Sequence, residues 1–319
     1  MSLRLSFIVP FYNVESYIEE CIRSLYAQDI PWEDYEVICV DDCSPDGSRA
    51  IVERLQKEYP TLKLLTTPEN LRQGGARNLA LKEAKGKYVS FVDSDDYFRP
   101  NSVNKLLTLA ENENLDILDF DFDTDKIGIQ NGMQKNRLVF TTEICTGTEY
   151  VFNSYGLWAN RCCCVCAMLI RRTFLDENNL RFVEKMQYED TDFSIQMFAN
   201  AERIKHVGEK VYFYRYTFNS ATHGILNTNS VYYRVELIKR YVSLFHCINN
   251  NRWKIAIREI IWNEVYQLLV DLRKASCENQ YFFYKQHLGK ICGINLFVGK
   301  KIRMALKSKL FLYLFFRKK

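Results

Sequence analysis

Three aspartates close together in the first hundred residues are the strongest candidates for chemistry. Asp93, Asp95 and Asp96 directly follow the apolar segment 88–92. Carboxylates this close repel one another unless a cation or hydrogen-bond donors compensate. A hard divalent ion such as Mg²⁺ or Mn²⁺ takes one or two carboxylates together with phosphate oxygens, so the spacing suits a metal and phosphate site. The alternative is that Asp95 or Asp96 caps a following helix.

Three further polar clusters follow predicted strands or open a predicted helix. They are Tyr12-Asn13, Asp41-Asp42 and the segment 72–78. Asp41, at a strand tip, suits hydrogen bonds from a base or ribose, while Arg72 and Arg77 lie at a helix start that favours a phosphate. The sequence has no glycine-rich phosphate loop and no dinucleotide-binding fingerprint. Side chains must therefore hold the ligand.

The elements that must position these clusters alternate between strand and helix. Apolar segments predict strands at 3–9, 36–40, 62–65 and 87–92, and helical spacing predicts helices at 14–27, 48–58, 75–83 and 101–112. Alternation at this pace indicates an α/β protein with a parallel sheet covered by helices on both faces. Ligands of such sheets bind outside the carboxyl ends of the strands, where these clusters fall.

The pattern is less regular after residue 115. A strand with one solvated face is predicted at 115–122, a loop or insertion at 123–160, a strand around 167–170 and a helix at 190–200. From about residue 230 onward the pattern is mostly helical. We therefore divide the chain into a catalytic domain at 1–225 and a helical C-terminal region at 226–319.

Composition excludes several protein classes. The chain of 319 residues is 47% hydrophobic and 26% charged, as in globular proteins, and has no uncharged apolar run long enough to span a bilayer. We expect no signal peptide, since the N-terminus lacks a small-residue cleavage site. Eleven cysteines, an odd number, indicate a reducing compartment. The clustered Cys162, Cys163, Cys164 and Cys166 are predicted to be buried in a core strand.

The polar clusters resemble, in order and register, the motifs of glycosyltransferase family 2, inverting nucleotide-sugar enzymes with the GT-A fold. The matching stretches are FIVPFYN at 7–13, VDDCSPDGS at 40–48, NLRQGGARN at 70–78 and GKYVSFVDSDD at 86–96. The resemblance is dense over residues 5–100 and thins to Tyr188-Glu189-Asp190 and Tyr214-Arg215-Tyr216. It says almost nothing about residues 230–319.

This resemblance implies a role for each matching residue. The nucleobase and ribose pocket would be lined by Pro10, Tyr12 and Asp41, and Asn13 would also belong to the nucleotide-sugar site. Arg72 and Arg77 would lie near the diphosphate or the sugar. Asp93 and Asp95 form the family's D-x-D, with Asp95 as the direct ligand of Mn²⁺ or Mg²⁺. Asp190 matches the catalytic base, with helix capping by Glu189-Asp190 as the alternative.

We therefore expect a metal-dependent inverting glycosyltransferase. It would move a sugar from a nucleotide-sugar donor, usually a UDP-sugar, to a glycan or lipid-linked glycan in polysaccharide biosynthesis. A carboxylate must take the proton of the acceptor hydroxyl, and a cation and arginines can neutralise the departing diphosphate. The alternatives are a metal-dependent nucleotidyltransferase and a non-catalytic sugar-binding or scaffold subunit. His223 is expected to be a surface or packed histidine rather than a third metal ligand.

The C-terminal tail differs in charge from the rest of the chain. Nine lysines and arginines and no acidic residue follow Gly289, while the first 289 residues carry 34 basic and 39 acidic groups. The apolar segment 310–316, flanked by cations, suits an interfacial helix on anionic lipid. This predicts a cytoplasmic protein, peripheral at the inner face of the cytoplasmic membrane. The alternative is a helix docked on the protein's own core or on a second copy in a homodimer. No nucleic-acid partner is expected.

Overall fold

The computed structural model describes residues 3–130, 143–153, 165–217 and 228–274. The chain divides into two compact units, Met1–Thr217 and Phe218–Lys319. The predicted domain boundary at 225 lies outside the described residues, as do Cys162 to Cys164, His223 and the tail 300–319.

One eight-stranded sheet forms the centre of the first unit. Its strands are β1 (Leu5–Phe11), β2 (Tyr35–Asp41), β3 (Leu62–Thr66), β4 (Tyr88–Phe91), β5 (Tyr97–Phe98), β6 (Ile117–Thr124), β7 (Met168–Arg171) and β8 (Ile204–Tyr214). They lie in the order β3-β2-β1-β4-β7-β6-β8-β5. The first four strands run parallel, β7 is antiparallel to β4 and to β6, β8 is parallel to β6, and β5 is antiparallel to β8. The predicted α/β class with a mostly parallel sheet is confirmed.

Helices connect these strands. In the first unit they are α1 (Ile18–Tyr26), α2 (Ser48–Leu55), α3 (Arg72–Glu83), α4 (Val103–Asn112), α5 (Lys126–Gln130), α6 (Gly147–Asn153), α7 (Arg172–Glu177) and α8 (Glu189–Asn200), with 3₁₀ turns at Trp32–Asp34 and Val165–Ala167. The helical spacing of α1 buries Ile18, Ile22 and Leu25. Both β1 and β2 are buried along their whole length, as expected for parallel strands covered on both faces.

The first strand continues through Pro10 to Phe11, two residues beyond its predicted end. The Ile8 carbonyl accepts the Val92 N–H at 2.9 Å. Backbone groups two residues apart on a strand point to the same side, so the Pro10 nitrogen also points toward β4. Pairing with β4 has ended at Ile8 on that side. The next bond of the ladder would need the N–H that Pro10 lacks, so pairing with β4 stops here, while β1 continues beside β2 to Phe11.

Two short helices, α5 and α6, lie in the stretch where the sequence predicted a loop. The start of α6 is a capping box: the Thr146 N–H donates to Glu149 Oε2 at 3.0 Å, and the Glu149 N–H donates to Thr146 Oγ1 at 3.3 Å. The T-x-x-E spacing at 146–149 was the sequence signal for this helix. Cys166 is buried as predicted, but it lies in the 3₁₀ turn before β7 rather than in a strand.

The described part of the second unit contains two helices, α9 (Thr228–Cys247) and α10 (Asn251–Lys274). The Asn250 side chain accepts the Arg252 N–H at 2.9 Å and so caps α10. A partly buried ion pair between Arg234 and Glu264 joins the two helices. In the ranges that the structure describes, no helix is long and apolar enough to cross a membrane.

Candidate active site

The carboxyl ends of the parallel strands bring the polar clusters together. The register places Phe11 opposite Asp41, and the Asp42 N–H donates to the Phe11 carbonyl at 3.0 Å. The Asn13 N–H donates to Ser44 Oγ at 3.3 Å, which joins the loops after β1 and β2. The Val92 N–H bonds to β1 just before Asp93. These strand ends therefore form one polar edge.

Asp41 and its neighbour Asp42 have different surroundings. Asp41 is buried, with Oδ1 accepting the Ser44 N–H at 2.8 Å and Oδ2 lying 3.4 Å from Arg49 Nη1. Asp42 Oδ1 accepts the Thr67 hydroxyl at 2.7 Å and the Leu71 N–H at 2.8 Å. Asp42 thus ties β2 to the start of α3. Sequence reasoning missed this role, because nothing in an Asp-Asp pair distinguishes one carboxylate from the other.

The other predicted nucleotide contacts differ in exposure. Pro10 is buried in β1, whereas the Tyr12 side chain is 49% exposed at the sheet edge. Asn13 has a left-handed φ of 56°, and Arg72, the exposed first residue of α3, has a φ of 60°. Tyr12 follows Phe11, which is in register with Asp41, and an exposed aromatic ring is a surface on which a base can stack.

We refer to residues 93–96 as the acidic turn. The Asp96 N–H donates to the Asp93 carbonyl at 3.0 Å, and β5 follows directly, so neither Asp95 nor Asp96 caps a helix. Asp95 is partly exposed, and its Oδ2 accepts the Thr217 hydroxyl at 3.2 Å. Asp96 is buried and accepts hydrogen bonds on both oxygens, from the Tyr212 hydroxyl and the Arg215 N–H.

Electrostatics distinguish the carboxylates of the acidic turn. Burial, and then the Asp93 carboxylate, raises the pKa of Asp95 to about 6. Burial, followed by the charges of Asp95 and Asp93, raises the pKa of Asp96 well above its ordinary value. Because carboxylates disfavour one another's ionisation, the turn attracts positive charge.

Arg77 lies beneath the site and joins two of its carboxylates. Its Nη2 donates to Asp93 Oδ1 and its Nη1 to Glu189 Oε1, each at 2.8 Å. The side chain is only 2% exposed, and its guanidinium carbon lies 5.2 Å from the centroid of the Phe182 ring. Burial alone would lower the pKa of Arg77, but Asp93 and Glu189 outweigh it and raise that pKa. The resemblance implies that Arg77 lies near the diphosphate or the sugar; in the structure its guanidinium contacts two protein carboxylates.

Asp190 is the second residue of α8. Within the described residues, the N-cap residue Tyr188 makes no side-chain capping hydrogen bond to this helix. Asp190 Oδ1 accepts the N–H of the next residue, Thr191, at 2.8 Å. Tyr188, just before the helix, has a left-handed φ of 67°. Burial first, and then the Glu189 carboxylate, raises the pKa of Asp190 to about 7. A carboxyl with this pKa can exchange a proton near neutral pH.

Close packing holds α8 against α3 and β4. A Cβ added at Gly74 would lie 2.6 Å from the Val183 carbonyl oxygen, so only glycine permits this approach. Asn78 exchanges two hydrogen bonds of 2.9 Å with the backbone of Phe182. The Phe182 ring stacks on Phe193 of α8 at 3.9 Å and meets Phe91 of β4 edge-on at 5.1 Å. The helix that carries Asp190 and the strand that precedes Asp93 are therefore packed together through Phe182.

The carboxylates of the acidic turn fit a divalent cation whose remaining ligands come from a phosphate. Within the described ranges, no group of three or more His, Cys, Asp and Glu side chains forms a ready-made metal cage. Mg²⁺ and similar ions usually need only one or two carboxylates when substrate phosphates supply further oxygens. The partly exposed Asp93 and Asp95 meet that requirement. His206 lies on β8, and its Nδ1 is 2.5 Å from Asp119 Oδ2 on β6.

The strand order, the carboxylates at the sheet edge and the order of the motifs define a glycosyltransferase of the GT-A fold. The chain belongs to glycosyl transferase family 2, whose sequence profile matches residues 6–178. The resemblance drawn from the sequence motifs is thereby confirmed.

Relatives of the chain include bacterial glycosyltransferases. The uncharacterized glycosyltransferase EpsJ of Bacillus subtilis is 34% identical over 223 residues, which are 68% of this chain and 62% of EpsJ. The poly(ribitol-phosphate) beta-N-acetylglucosaminyltransferase TarS of Staphylococcus aureus is 31% identical over 217 residues, 66% of this chain and 35% of TarS. The matches thus span less than two thirds of either relative.

Solved structures share the fold. TarS 1–349 of S. aureus in complex with UDP-GlcNAc has a TM-score of 0.59 at 24% identity, and the match covers 98% of this chain and 78% of that chain. The mannosyltransferase PcManGT from Pyrobaculum calidifontis, in complex with GDP-Man and Mn²⁺, has a TM-score of 0.55 at 17% identity, covering 99% and 86%. At these identities the likeness establishes the GT-A fold alone.

Proposed function

We propose that the protein is an inverting glycosyltransferase that moves a sugar from a nucleoside diphosphate sugar to a hydroxyl of a glycan or lipid-linked glycan. The observation that carries this proposal is the pair of 2.8 Å hydrogen bonds from Arg77, one to Asp93 and one to Glu189. These bonds hold Asp93, which would contact the sugar donor, next to the helix that carries Asp190. A donor bound at Asp93 and an acceptor bound at Asp190 would therefore meet.

Asp190 is the proposed general base. A sugar hydroxyl is a poor nucleophile at neutral pH, so a carboxylate within reach must take its proton as it attacks. The acceptor oxygen forms its bond to the anomeric carbon while the bond from that carbon to the diphosphate oxygen breaks and its electron pair leaves with the diphosphate. Attack on the face opposite the leaving group inverts the configuration. The proton remains on Asp190.

The sheet edge is the proposed donor site. Tyr12 and Asp41 would hold the base and ribose, with Pro10 and Asn13 shaping the pocket and Arg72 near the diphosphate. Asp95, with Asp93, would hold Mn²⁺ or Mg²⁺. When bound, such an ion would neutralise the charge that develops on the departing diphosphate. Arg77 fixes Asp93 from beneath by their 2.8 Å contact.

We propose UDP as the nucleotide, since TarS was crystallised with UDP and with UDP-GlcNAc. The polymer in the name of TarS supports an acceptor from bacterial polysaccharide assembly. Cytoplasmic donors and membrane-linked acceptors would suit a peripheral position at the inner face of the membrane, reached through the basic tail. The catalytic domain would comprise residues 1–225 and the helical region residues 226–319.

Calorimetry with UDP, GDP, CDP and dTDP tests the proposal, each nucleotide being measured with Mn²⁺ and with EDTA. We expect one nucleotide to bind, with an affinity that depends on Mn²⁺ and is lost in Asp95→Ala. The matched control is Asp176→Ala, an exposed aspartate on α7 that pairs with Arg172 and Arg181. Because β7 runs antiparallel to β4, α7 begins at the opposite edge of the sheet, so this control should bind as the wild type does.

The alternatives give different results. A scaffold subunit would bind none of the four nucleotides in the presence of Mn²⁺. A nucleotidyltransferase would release pyrophosphate from a nucleoside triphosphate and a sugar 1-phosphate, whereas the proposed enzyme would release no pyrophosphate and would instead free the nucleoside diphosphate from its sugar. Either alternative result would overturn the proposal.

A further inference from the structure

The carboxyl end of β8 holds the acidic turn from one side. Tyr212 lies on this strand, 116 positions after Asp96, and is fully buried. Its hydroxyl donates to Asp96 Oδ2 at 2.5 Å. The same hydroxyl accepts the Asp93 N–H at 3.2 Å. One oxygen atom therefore fixes both ends of the four-residue turn.

The segment after Tyr212 adds two further hydrogen bonds to the turn, one from a backbone N–H and one from a side-chain hydroxyl. The Arg215 N–H donates to Asp96 Oδ1 at 2.8 Å, and the Thr217 hydroxyl donates to Asp95 Oδ2 at 3.2 Å. Arg215 is itself held over the rings of Tyr17 and Tyr97, at 5.2 and 5.6 Å, and by Glu20 at 2.7 Å. These contacts fix the end of β8, so this strand can set the position of the acidic turn.

Asp96 has a different role from Asp95, because both of its carboxylate oxygens already accept hydrogen bonds. With one oxygen bonded to Tyr212 and the other to Arg215, the Asp96 side chain cannot turn toward a ligand without breaking a buried hydrogen bond. Its neighbour Asp95 is partly exposed and remains available at the surface of the turn. Fixing Asp96 and the Asp93 amide therefore fixes the peptide units that carry Asp95.

We propose that Tyr212 is a positioning residue of the donor site, which holds the acidic turn in the geometry that presents Asp93 and Asp95 to a cation and a diphosphate. This inference rests on the proposed function for the identity of the ligand. Partners that orient metal ligands without touching the metal change metal affinity or activity by about 10–100-fold when they are removed. The Tyr212 hydroxyl meets that description through its two contacts with the turn.

Tyr212→Phe removes the hydroxyl and keeps the ring, so it tests the hydroxyl alone. The ring packs edge-on against Phe98 with centroids 5.4 Å apart, and phenylalanine keeps that packing. The matched control is Tyr88→Phe at the opposite end of β4. Its buried hydroxyl also makes two hydrogen bonds, donating to the carbonyls of Ala110 at 2.7 Å and Leu115 at 3.0 Å. Both variants lose one buried hydroxyl with two partners, so general destabilisation is matched.

Two measurements on the full chain test the inference. In calorimetry with UDP, Tyr212→Phe should raise the Mn²⁺ concentration for half-maximal binding about 10–100-fold, whereas Tyr88→Phe should leave it unchanged. In hydrogen exchange without any ligand, Tyr212→Phe should speed exchange of the Asp93 amide at least tenfold relative to Tyr88→Phe, because that N–H loses its acceptor.

The outcomes separate this inference from the proposed function. If the wild type binds no nucleotide, the proposed function fails, and an unchanged Asp93 exchange rate would then also overturn the positioning role. If the wild type binds UDP with Mn²⁺ and Tyr212→Phe matches it in Mn²⁺ dependence, the inference fails while the proposed function stands. An equal loss in Tyr212→Phe and Tyr88→Phe would also overturn it, since the effect would then be one of stability.

Discussion

Arg77 and Glu189 are 112 positions apart in the chain, and a buried hydrogen bond of 2.8 Å joins them. The other arm of the same guanidinium holds Asp93. A planar guanidinium can serve two carboxylates at once because its donors form a rigid fork, which a lysine cannot reproduce. The position of the α8 start, and with it Asp190, is therefore set relative to the acidic turn by one side chain.

Replacing Arg77 should destabilise the protein as well as impair nucleotide binding. Arg77→Met leaves Asp93 and the buried Glu189 without their cation, and removing one partner of a buried ion pair costs about 3–5 kcal/mol. Urea denaturation followed by circular dichroism measures the free energy of unfolding. Arg77→Lys should also lose stability, since one ammonium cannot reproduce the two-armed contact.

Arg54→Met is the control for this prediction. Arg54 is 51% exposed and pairs with Glu19 at the surface, so its loss should cost less than about 1 kcal/mol. The double variant Arg77→Met, Glu189→Gln should recover part of the loss, because it removes the unpaired buried charge. Equal unfolding free energies for Arg77→Met and Arg54→Met would contradict the assignment.

The pH dependence of the reaction should report Asp190. With its pKa raised to about 7, by burial and then by Glu189, the carboxylate that accepts a proton becomes more abundant as the pH rises through that value. The ratio kcat/KM should therefore increase about tenfold per unit below pH 7 and level off above it. Steady-state rates between pH 5 and 9, with a sugar donor that carries the nucleotide found by calorimetry, measure the inflection.

Glu189→Gln provides the internal check on this profile. Losing the neighbouring negative charge should move the inflection to lower pH, because the Asp190 carboxylate then ionises more readily. The control Asp176→Asn, at the opposite edge of the sheet, should leave the inflection in place. A profile that is flat from pH 5 upward would show that Asp190 is not the base.

The same raised pKa predicts a cost in stability. In the unfolded chain Asp190 ionises near the ordinary value of 3.8, whereas in the folded protein it holds its proton to about 7. Between these values the folded state binds more protons, so stability falls as the pH rises through this window. Asp190→Asn removes the titration and should raise the melting temperature by several degrees at pH 8.

Comparing the wild type and Asp190→Asn across pH isolates this contribution from that of other groups. The difference in melting temperature should be largest above pH 7 and should shrink toward pH 4, because the Asp190 carboxyl of the unfolded chain then also begins to bind its proton. Differential scanning calorimetry at pH 5, 6.5 and 8 measures it. A difference that is the same at all three values would mean that packing, not ionisation, separates the two proteins.

The gathering of polar clusters at one edge was predictable from the sequence, for a physical reason. Parallel strands end at the same edge, so residues such as Asp41 and Asp93 that follow apolar runs must lie near one another. Local spacing likewise predicted helix α8, which begins one residue before its expected start at Asp190. Patterns of this kind depend only on period and on the direction of the strands.

Contacts between distant segments were not predictable in this way. Nothing in the local pattern pairs Arg77 with Glu189, or Asp96 with Tyr212, because side-chain partners across the sheet depend on its complete topology. The antiparallel β7, only four residues long, enters the sheet between β4 and β6 and sets where β8 lies. A strand so short carries too little periodicity to reveal its neighbours or direction.

Gly74 provides a test of how tightly α3 and the segment before α8 must pack. An added Cβ would lie 2.6 Å from the Val183 carbonyl oxygen and 3.0 Å from the Glu189 side chain, so Gly74→Ala must push this segment away. Overpacking of this kind costs about 1–3 kcal/mol, and the shift should weaken the contact of Arg77 with Glu189. Gly208→Ala is the control, because no atom of the described residues lies within 4 Å of its added Cβ. Urea denaturation and UDP calorimetry should show losses in Gly74→Ala alone; a Gly74→Ala variant as stable as Gly208→Ala would mean that the two segments can separate without cost.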